Sequence, residues 1–291
     1  MDSLTTGIIR SSSKTLTVTS TNFVDLRNEI NDTHNKWKEL NNKLNQQQLT
    51  LNLLLVLKII SKLLIFGFFY KKPDELYIHK LAEVNDLKKE LGETYVKLEF
   101  ADKSQIEKSW LDCVDTFKQM VSCDSVWDLT YSEIVDRVKT RTIAKTGIKR
   151  ALISYKTKQI DFIHCDLEPL FLPNINGADI FIYPKFMIFY KDKRDFGLID
   201  LKEVKAISEL TGYVEEERVP KDTEILDHTW AKTNKDGSRD KRFNQNYQIP
   251  IVKYGQLTLR SGSGMDESFM FSNPNSFEAF DQALQKHLSL L

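Results

Sequence analysis

Two periods divide the apolar positions of this chain. From Phe23 to Leu54 they recur in alternating steps of three and four: Phe23, Leu26, Ile30, Thr33, Trp37, Leu40, Leu44, Gln47, Leu51 and Leu54, with no Pro or Gly between them. Such steps lay one stripe along one side of a helix, and a stripe kept over several heptads predicts a coiled-coil seam. Thr33 and Gln47 are polar positions on it, of the kind that selects register or partner at some cost in stability. Ile30, Trp37, Leu40 and Leu44 are the expected self-association contacts.

The next stretch, LNLLLVLKIISKLLIFGFFY at 51–70, is long enough to cross a bilayer, which takes about 20 apolar residues in a helix. Lys58 and Lys62 interrupt it, four apart and so on one face. A central Lys opposes insertion by about 2.5–3.5 kcal/mol, while each Leu, Ile, Phe or Val returns only about 0.3–0.6 kcal/mol. The sum lies near zero, and two expectations stand. One is a helix buried on most sides, its lysines reaching solvent along one edge. The other is a membrane span or interfacial segment, with Lys71-Lys72 as a cytoplasmic anchor.

Lys71-Lys72-Pro73-Asp74 ends that helix, because Pro disfavours helical geometry in the residue before it and suits the first turn of a new helix. A second helix over 74–100, with Tyr77, Leu81, Val84, Leu87, Leu91, Tyr95 and Leu98 on one face, predicts an antiparallel hairpin. A third follows at 102–120, and a short one with a basic face at 132–144.

After Gly147 the period becomes two. Strand-like runs rich in β-branched and aromatic residues occupy 149–155, 159–165, 178–184, 185–191, 195–201, 204–208, 247–254, 256–261 and 267–272. Asn176-Gly177, residues 192–195, Gly255 and residues 261–264 are the expected turns. Phe277, Phe280, Leu284 and Leu288 then form one face of a C-terminal helix, with Ser276 as its expected N-cap. The expected division is a flexible arm at 1–20, a helical hairpin at 21–145 and a β domain at 146–291. The fold class is α+β: a long-helix hairpin or coiled coil, then an antiparallel β barrel closed by a C-terminal helix.

Charge changes the picture at one place. Lys and Arg balance Asp and Glu at 41 each, which argues against nucleic-acid binding over the whole surface. Within 229–260, however, seven basic residues (Lys232, Lys235, Arg239, Lys241, Arg242, Lys253, Arg260) face two acids, Asp236 and Asp240. They lie on a long polar connection beside Trp230 and Phe243, and long loops in compact domains are often functional. Lys232, Lys235, Arg239, Lys241, Arg242, Trp230 and Phe243 form the candidate binding set, for a phosphate-bearing or acidic ligand or a protein surface. The bland alternative is a solvated loop in which Asp236 and Asp240 pair with their basic neighbours. Glu215-Glu216-Glu217 folding back onto it would favour that alternative.

The segments IFIYPKFMIFY (180–190), FGLIDLKEV (196–204) and WAKTNKDGSRDKRFNQNYQIPIVKYG (230–255), with their strand-then-helix order, resemble a pleckstrin-homology-like domain. They are also similar to blocks in bacterial proteins of unknown function in which a helical or coiled-coil N-terminus precedes such a domain, sometimes near phage-defence genes. The resemblance covers roughly the C-terminal half. A Gly-Pro-like pair often follows Asp-Gly in those blocks, whereas Ser238-Arg239 follows Asp236-Gly237 here. The resemblance assigns no catalytic residue; the expected location is cytoplasmic, with membrane association as the alternative.

Catalytic patterns are sparse. Asp200-Leu201-Lys202, with Asp179 or Asp192 upstream, loosely matches the carboxylates and lysine of metal-dependent nucleases, although a strand ending in Asp-x-Lys is common. His164, Cys165 and His228 are zinc-binding types, but adjacent strand residues point to opposite faces and no fourth ligand stands out. GxSxG, GxGxxG and GxxxxGK[ST] are missing, and three cysteines without CxxC spacing suit a reducing compartment. The first residues lack the basic-then-apolar pattern of a secretion signal. The expected function is therefore a non-enzymatic adaptor with no cofactor or metal. It oligomerises or docks a partner through residues 21–100, with a membrane-tethered protein or a nuclease effector as alternatives.

Overall fold

The computed structural model describes residues 4, 6–11, 19–63, 72–100, 105–155, 158–175, 177–191 and 195–291. The fold is α+β, with a long N-terminal helix, antiparallel sheets and a C-terminal helix. Two compact units divide it: residues 28–99 with 160–166, and residues 1–27, 100–159 and 167–291. This differs from the expected boundary at 145/146, since residues 105–145 hold a core helix and a central strand of the β unit.

In the helical unit, α1 (Val24–Leu63) lies beside α2 (Lys72–Glu93). Every seam position from Ile30 to Leu54 in this unit is buried or half-buried, as the heptad spacing predicts, and so are Phe23 and Leu26 before it. The helices run antiparallel: Lys58 Nζ lies 3.1 Å from Asp74 and 4.6 Å from the Tyr77 ring centre, and Lys43 acts on the Glu83 carboxylate further along. Ile30 and Leu51 of the first helix and Val84 and Leu87 of the second are buried apolar residues of this unit. The second helix ends at Glu93, short of the expected 100, because β2 (Val96–Leu98) pairs in parallel with β5 (Ile163–Cys165). Residues 64–70 of the apolar stretch, and Lys71 of the expected anchor, lie outside the described residues. Among the described residues, no helix is long and apolar enough to cross a membrane.

The β unit holds two antiparallel sheets. One runs β1 (Gly7–Ile8), β3 (Val126–Ile134), β13 (Asp266–Phe271), β12 (Gln248–Ser261), β10 (Val204–Val214), with β4 (Thr146–Leu152) on β3 and β11 (Glu224–Trp230) on β12. The other is a meander of β6 (Leu170–Leu172), β7 (Asp179–Ile182), β8 (Phe186–Lys191) and β9 (Asp195–Asp200). The main core joins inner residues of both sheets (Ile180, Met187, Leu257, Phe269) to α3 (Gln105–Val121) and α5 (Pro274–Leu288) through Trp110, Phe117, Phe277 and Phe280. A smaller core of Ile9, Trp127, Leu129, Val252, Tyr254 and Met270 lies apart from it.

Several expectations shift. Tyr254-Gly255 is not a turn: β12 passes straight through it. Gly255 is required there by close approach, since a Cβ would stand 2.1 Å from Phe277 Cγ of α5. The N-cap of α5 is Asn273, whose side chain accepts from Asn275 N and Ser276 N, rather than Ser276. The helix expected over 132–144 shrinks to α4 (Arg137–Thr140), because residues up to Ile134 pair with β4. The segment expected as a free arm contributes β1 and the fully buried Ile9, although 1–3, 5 and 12–18 lie outside the described residues. Among the described residues four strands of the larger sheet, β1, β4, β10 and β11, have one strand partner each, and no ladder closes a barrel.

Candidate functional site

The basic connection at 230–247 is built around an acid. Asp240, 2% exposed at its side chain, accepts from Arg242 Nε and Nη2 at 2.9 and 2.8 Å and from Arg141 Nη1. Arg242 first, and Arg141 with it, hold its carboxyl down at about 2. Asn246 ties Lys232 at both backbone groups, and Asp236 accepts from Ser238 N and Oγ across the turn at Gly237, whose φ of +86° is left-handed. Arg239 lies 4.9 Å over the Trp230 ring, and Arg141 lies 5.5 Å from the Phe243 ring centre. Of the predicted set, Arg239, Arg242, Trp230 and Phe243 thus help to hold the loop, and Lys232, Lys235 and Lys241 project from it as exposed residues.

The expected seam residues have intrachain neighbours. Ile30 is fully buried, Trp37 lies 5.9 Å from Phe162 ring to ring, and Leu40 and Leu44 are half-buried. An exposed apolar surface lies further along α1. Leu53, Val56, Leu57, Ile60 and Leu63 are 66, 52, 55, 47 and 79% exposed, joined by Leu55 and Ile59. At about 100° per residue these seven positions cover an arc of roughly 200°. The opposite arc holds Leu51, Leu54, Lys58 and Ser61, all buried or half-buried, with Lys58 and Lys62 both near Asp74. Burial departs from that expected for 51–63: Lys58 points inward and seven apolar residues outward, while Leu51 and Leu54 stay inside and Lys62 is exposed. The signal was present in the sequence, since the heptad seam carried one repeat past Leu54 lands on Lys58 and Ser61.

Pattern reading missed a third feature. Arg150 on β4 is 6% exposed, and its guanidinium lies 4.2 Å from the Trp127 ring centre and 4.5 Å from that of Tyr213. Its Nη2 donates to both carboxylate oxygens of Glu215, at 2.7 and 2.8 Å, and to Glu217 at 3.2 Å. Tyr254 donates its hydroxyl to Glu215 as well, and burial pushes the Tyr254 and Tyr213 phenols up. The acidic triplet therefore meets Arg150, not the basic loop. Residues 65 apart in sequence carry this contact, and only the strand alternation around a lone Arg hinted at it. Beside it opens a cleft of roughly 760 Å³ between the β4 and β10 edges.

The enzymatic candidates do other work. Asp200 accepts from Lys202 N and caps a turn of 3-10 helix, Asp179 pairs with Lys158 at 2.6 Å, and Asp192 lies outside the described residues. His164 stacks on Tyr95 in the helical unit, while His228 is exposed on β11 of the β unit. The cysteines form no disulfide, and burial pushes the Cys113 thiol up to about 12, which suits a packed residue. Among the described residues no group of three or more His, Cys, Asp or Glu side chains is placed to hold a metal ion. Compared with protein families, curated proteins and solved structures, the chain matches none.

Proposed function

We propose that this protein is a non-enzymatic adaptor that self-associates through the distal part of its helical hairpin and recognises a ligand with its β unit. One observation carries the first half: between Leu53 and Leu63 the helix turns seven apolar side chains outward and Lys58 and Ser61 inward. Exposed apolar patches of this kind mark interaction surfaces. Burying a Val, Leu or Ile side chain contributes about 1.5–3 kcal/mol, and a second copy offers the same surface in return. Two hairpins meeting in this way make a four-helix bundle. In this reading the β unit is pleckstrin-homology-like, open along the β4/β10 seam, and available to a protein or to an anionic ligand at Lys232, Lys235 and Lys241.

The test is the solution mass of the full chain. The expected result is a dimer or larger assembly, reduced to monomer by V56E/I60E with helical content unchanged. A monomeric wild-type chain removes the reading. Insertion of the same surface into lipid is the second reading, favoured by the polar-in, apolar-out order, which is the order of helices in a bilayer. Flotation of the wild-type chain with phospholipid vesicles, lost in V56E/I60E, would replace self-association with membrane attachment.

A further inference from the structure

We infer that the cleft between β4 and β10 binds an extended peptide strand of a partner protein. This rests on the recognition half of the proposed function and is independent of the hairpin. Its first support is topological. β4 pairs with β3 and β10 with β12, so among the described residues each keeps one edge without a strand partner, and both edges line the cleft. Edge strands carry rows of backbone donors and acceptors, and an extended chain is the ligand that satisfies such a row. At the far end of β10, Gln285 of α5 reaches the Ala206 carbonyl at 3.5 Å, which leaves the Thr211–Val214 end for the cleft.

The second support is the charge of the walls. Arg150 is already neutralised: Glu215 takes Nη2 through both oxygens, while Nη1 is buried with no hydrogen-bond partner. With its charge taken up by Glu215, Arg150 offers no free cation to a second carboxylate or a phosphate in the cleft. The exposed Glu216 and Glu217 line one side and the exposed Lys145 and Lys232 also line the cleft, so the surface is mixed in sign and not basic. That disfavours a phosphate or an anionic surface. It fits a strand with one basic and one acidic side chain among apolar ones, the apolar ones lying against Ile148 and Ile251. The cleft's volume of roughly 760 Å³ has room for a short segment of a few residues.

The experiment is selection of a phage-displayed random dodecapeptide library on the full chain, then titration of the enriched peptides and hydrogen-exchange mapping. The expected result is an alternating apolar sequence with one Lys or Arg and one Asp or Glu, protecting amides in 146–152 and 208–214. K145E/K232E changes only exposed side chains, and it should weaken that peptide by roughly tenfold or more. Proline at the peptide's centre should abolish binding, because it removes a ladder donor. Three outcomes would overturn the inference: no enriched peptide, protection mapping elsewhere, or protection of these strands by inorganic phosphate or anionic vesicles alone. Failure here with self-association intact would leave the hairpin half of the adaptor reading standing. Peptide binding by a chain that stays monomeric would leave only the cleft.

Discussion

Lys58 in the hairpin and Arg150 in the β unit are both cations turned toward the interior of their units, yet their surroundings are opposite. Arg150 is 6% exposed, flanked by Trp127 and Tyr213, and bonded to a carboxylate that is itself buried. Lys58 is 24% exposed, and its partner Asp74 is 36% exposed at the side chain. Around Arg150 the apolar residues lie inside with the charge, and the core supplies the stability that a buried ion pair requires. Around Lys58 they lie outside, so the hairpin end hides its polar groups and shows its apolar ones. The position of a charge therefore teaches less than the position of the apolar residues around it. The first arrangement is a folding core with a polar knot, and the second is a surface that awaits cover.

The largest effect should come from breaking the β-unit knot. Arg150→Ala leaves Glu215 buried without its cation, and removal of one partner of a buried pair costs about 3–5 kcal/mol. Urea unfolding should show that loss, with part of it restored in R150M/E215Q, where neither charge remains. A loss below about 1 kcal/mol would place Arg150 among ordinary surface pairs and end the contrast with Lys58.

A second prediction tests whether buried charge in the β unit responds to pH. Glu267 on β13 is fully buried and accepts from Ser11 N at 2.9 Å; burial pushes its carboxyl up to about 7. The unfolded chain ionises that group near its ordinary value, 4.5, so between that pH and 7 unfolding releases a proton. Its contribution is full below 4.5, falls as pH rises, and is lost above 7, a swing of roughly 3 kcal/mol. Burial holds the His287 and His34 imidazoles low, which gives an opposite slope below their ordinary value, 6.5. The difference between E267Q and the wild-type chain isolates the carboxylate: it should favour E267Q increasingly from pH 5 to 7 and level off above that. A flat difference would mean that the carboxyl titrates normally.

The smallest effect is expected at the hairpin. Lys58→Ala should change unfolding by less than about 1 kcal/mol, since the pair is partly solvated and Lys62 also lies 3.6 Å from Asp74. A loss comparable to that of Arg150→Ala would mean that cover by another chain or by lipid has desolvated this end, and would sharpen the case for docking.

Much of the architecture was legible in one dimension. The seam from Phe23 to Leu54, the helix over 105–121, the strands from Asp179 to Asp200 and the C-terminal helix all follow from local periodicity, which depends on where side chains project from a regular backbone. β3 and β11 escaped notice because Asp128, Ser132, Asp227 and His228 blur their alternation, and pairing with distant strands makes up for it. The basic loop was visible as composition, while Asp240 as its centre was not: Arg141, which shares that acid, lies 99 residues away.

By itself the sequence determined the kinds of element, their order and the face that each helix offers, because propensity and periodicity act over a few residues. Tertiary structure alone decided which charges cancel and which surfaces stay open. It paired Arg150 with Glu215 and Asp240 with Arg141, ran β12 through Gly255 beneath Phe277, and left β4 and β10 as separate edges. The physical reason is that burial and ion pairing depend on distance in space, and contacts between residues so far apart leave no periodic trace along the chain.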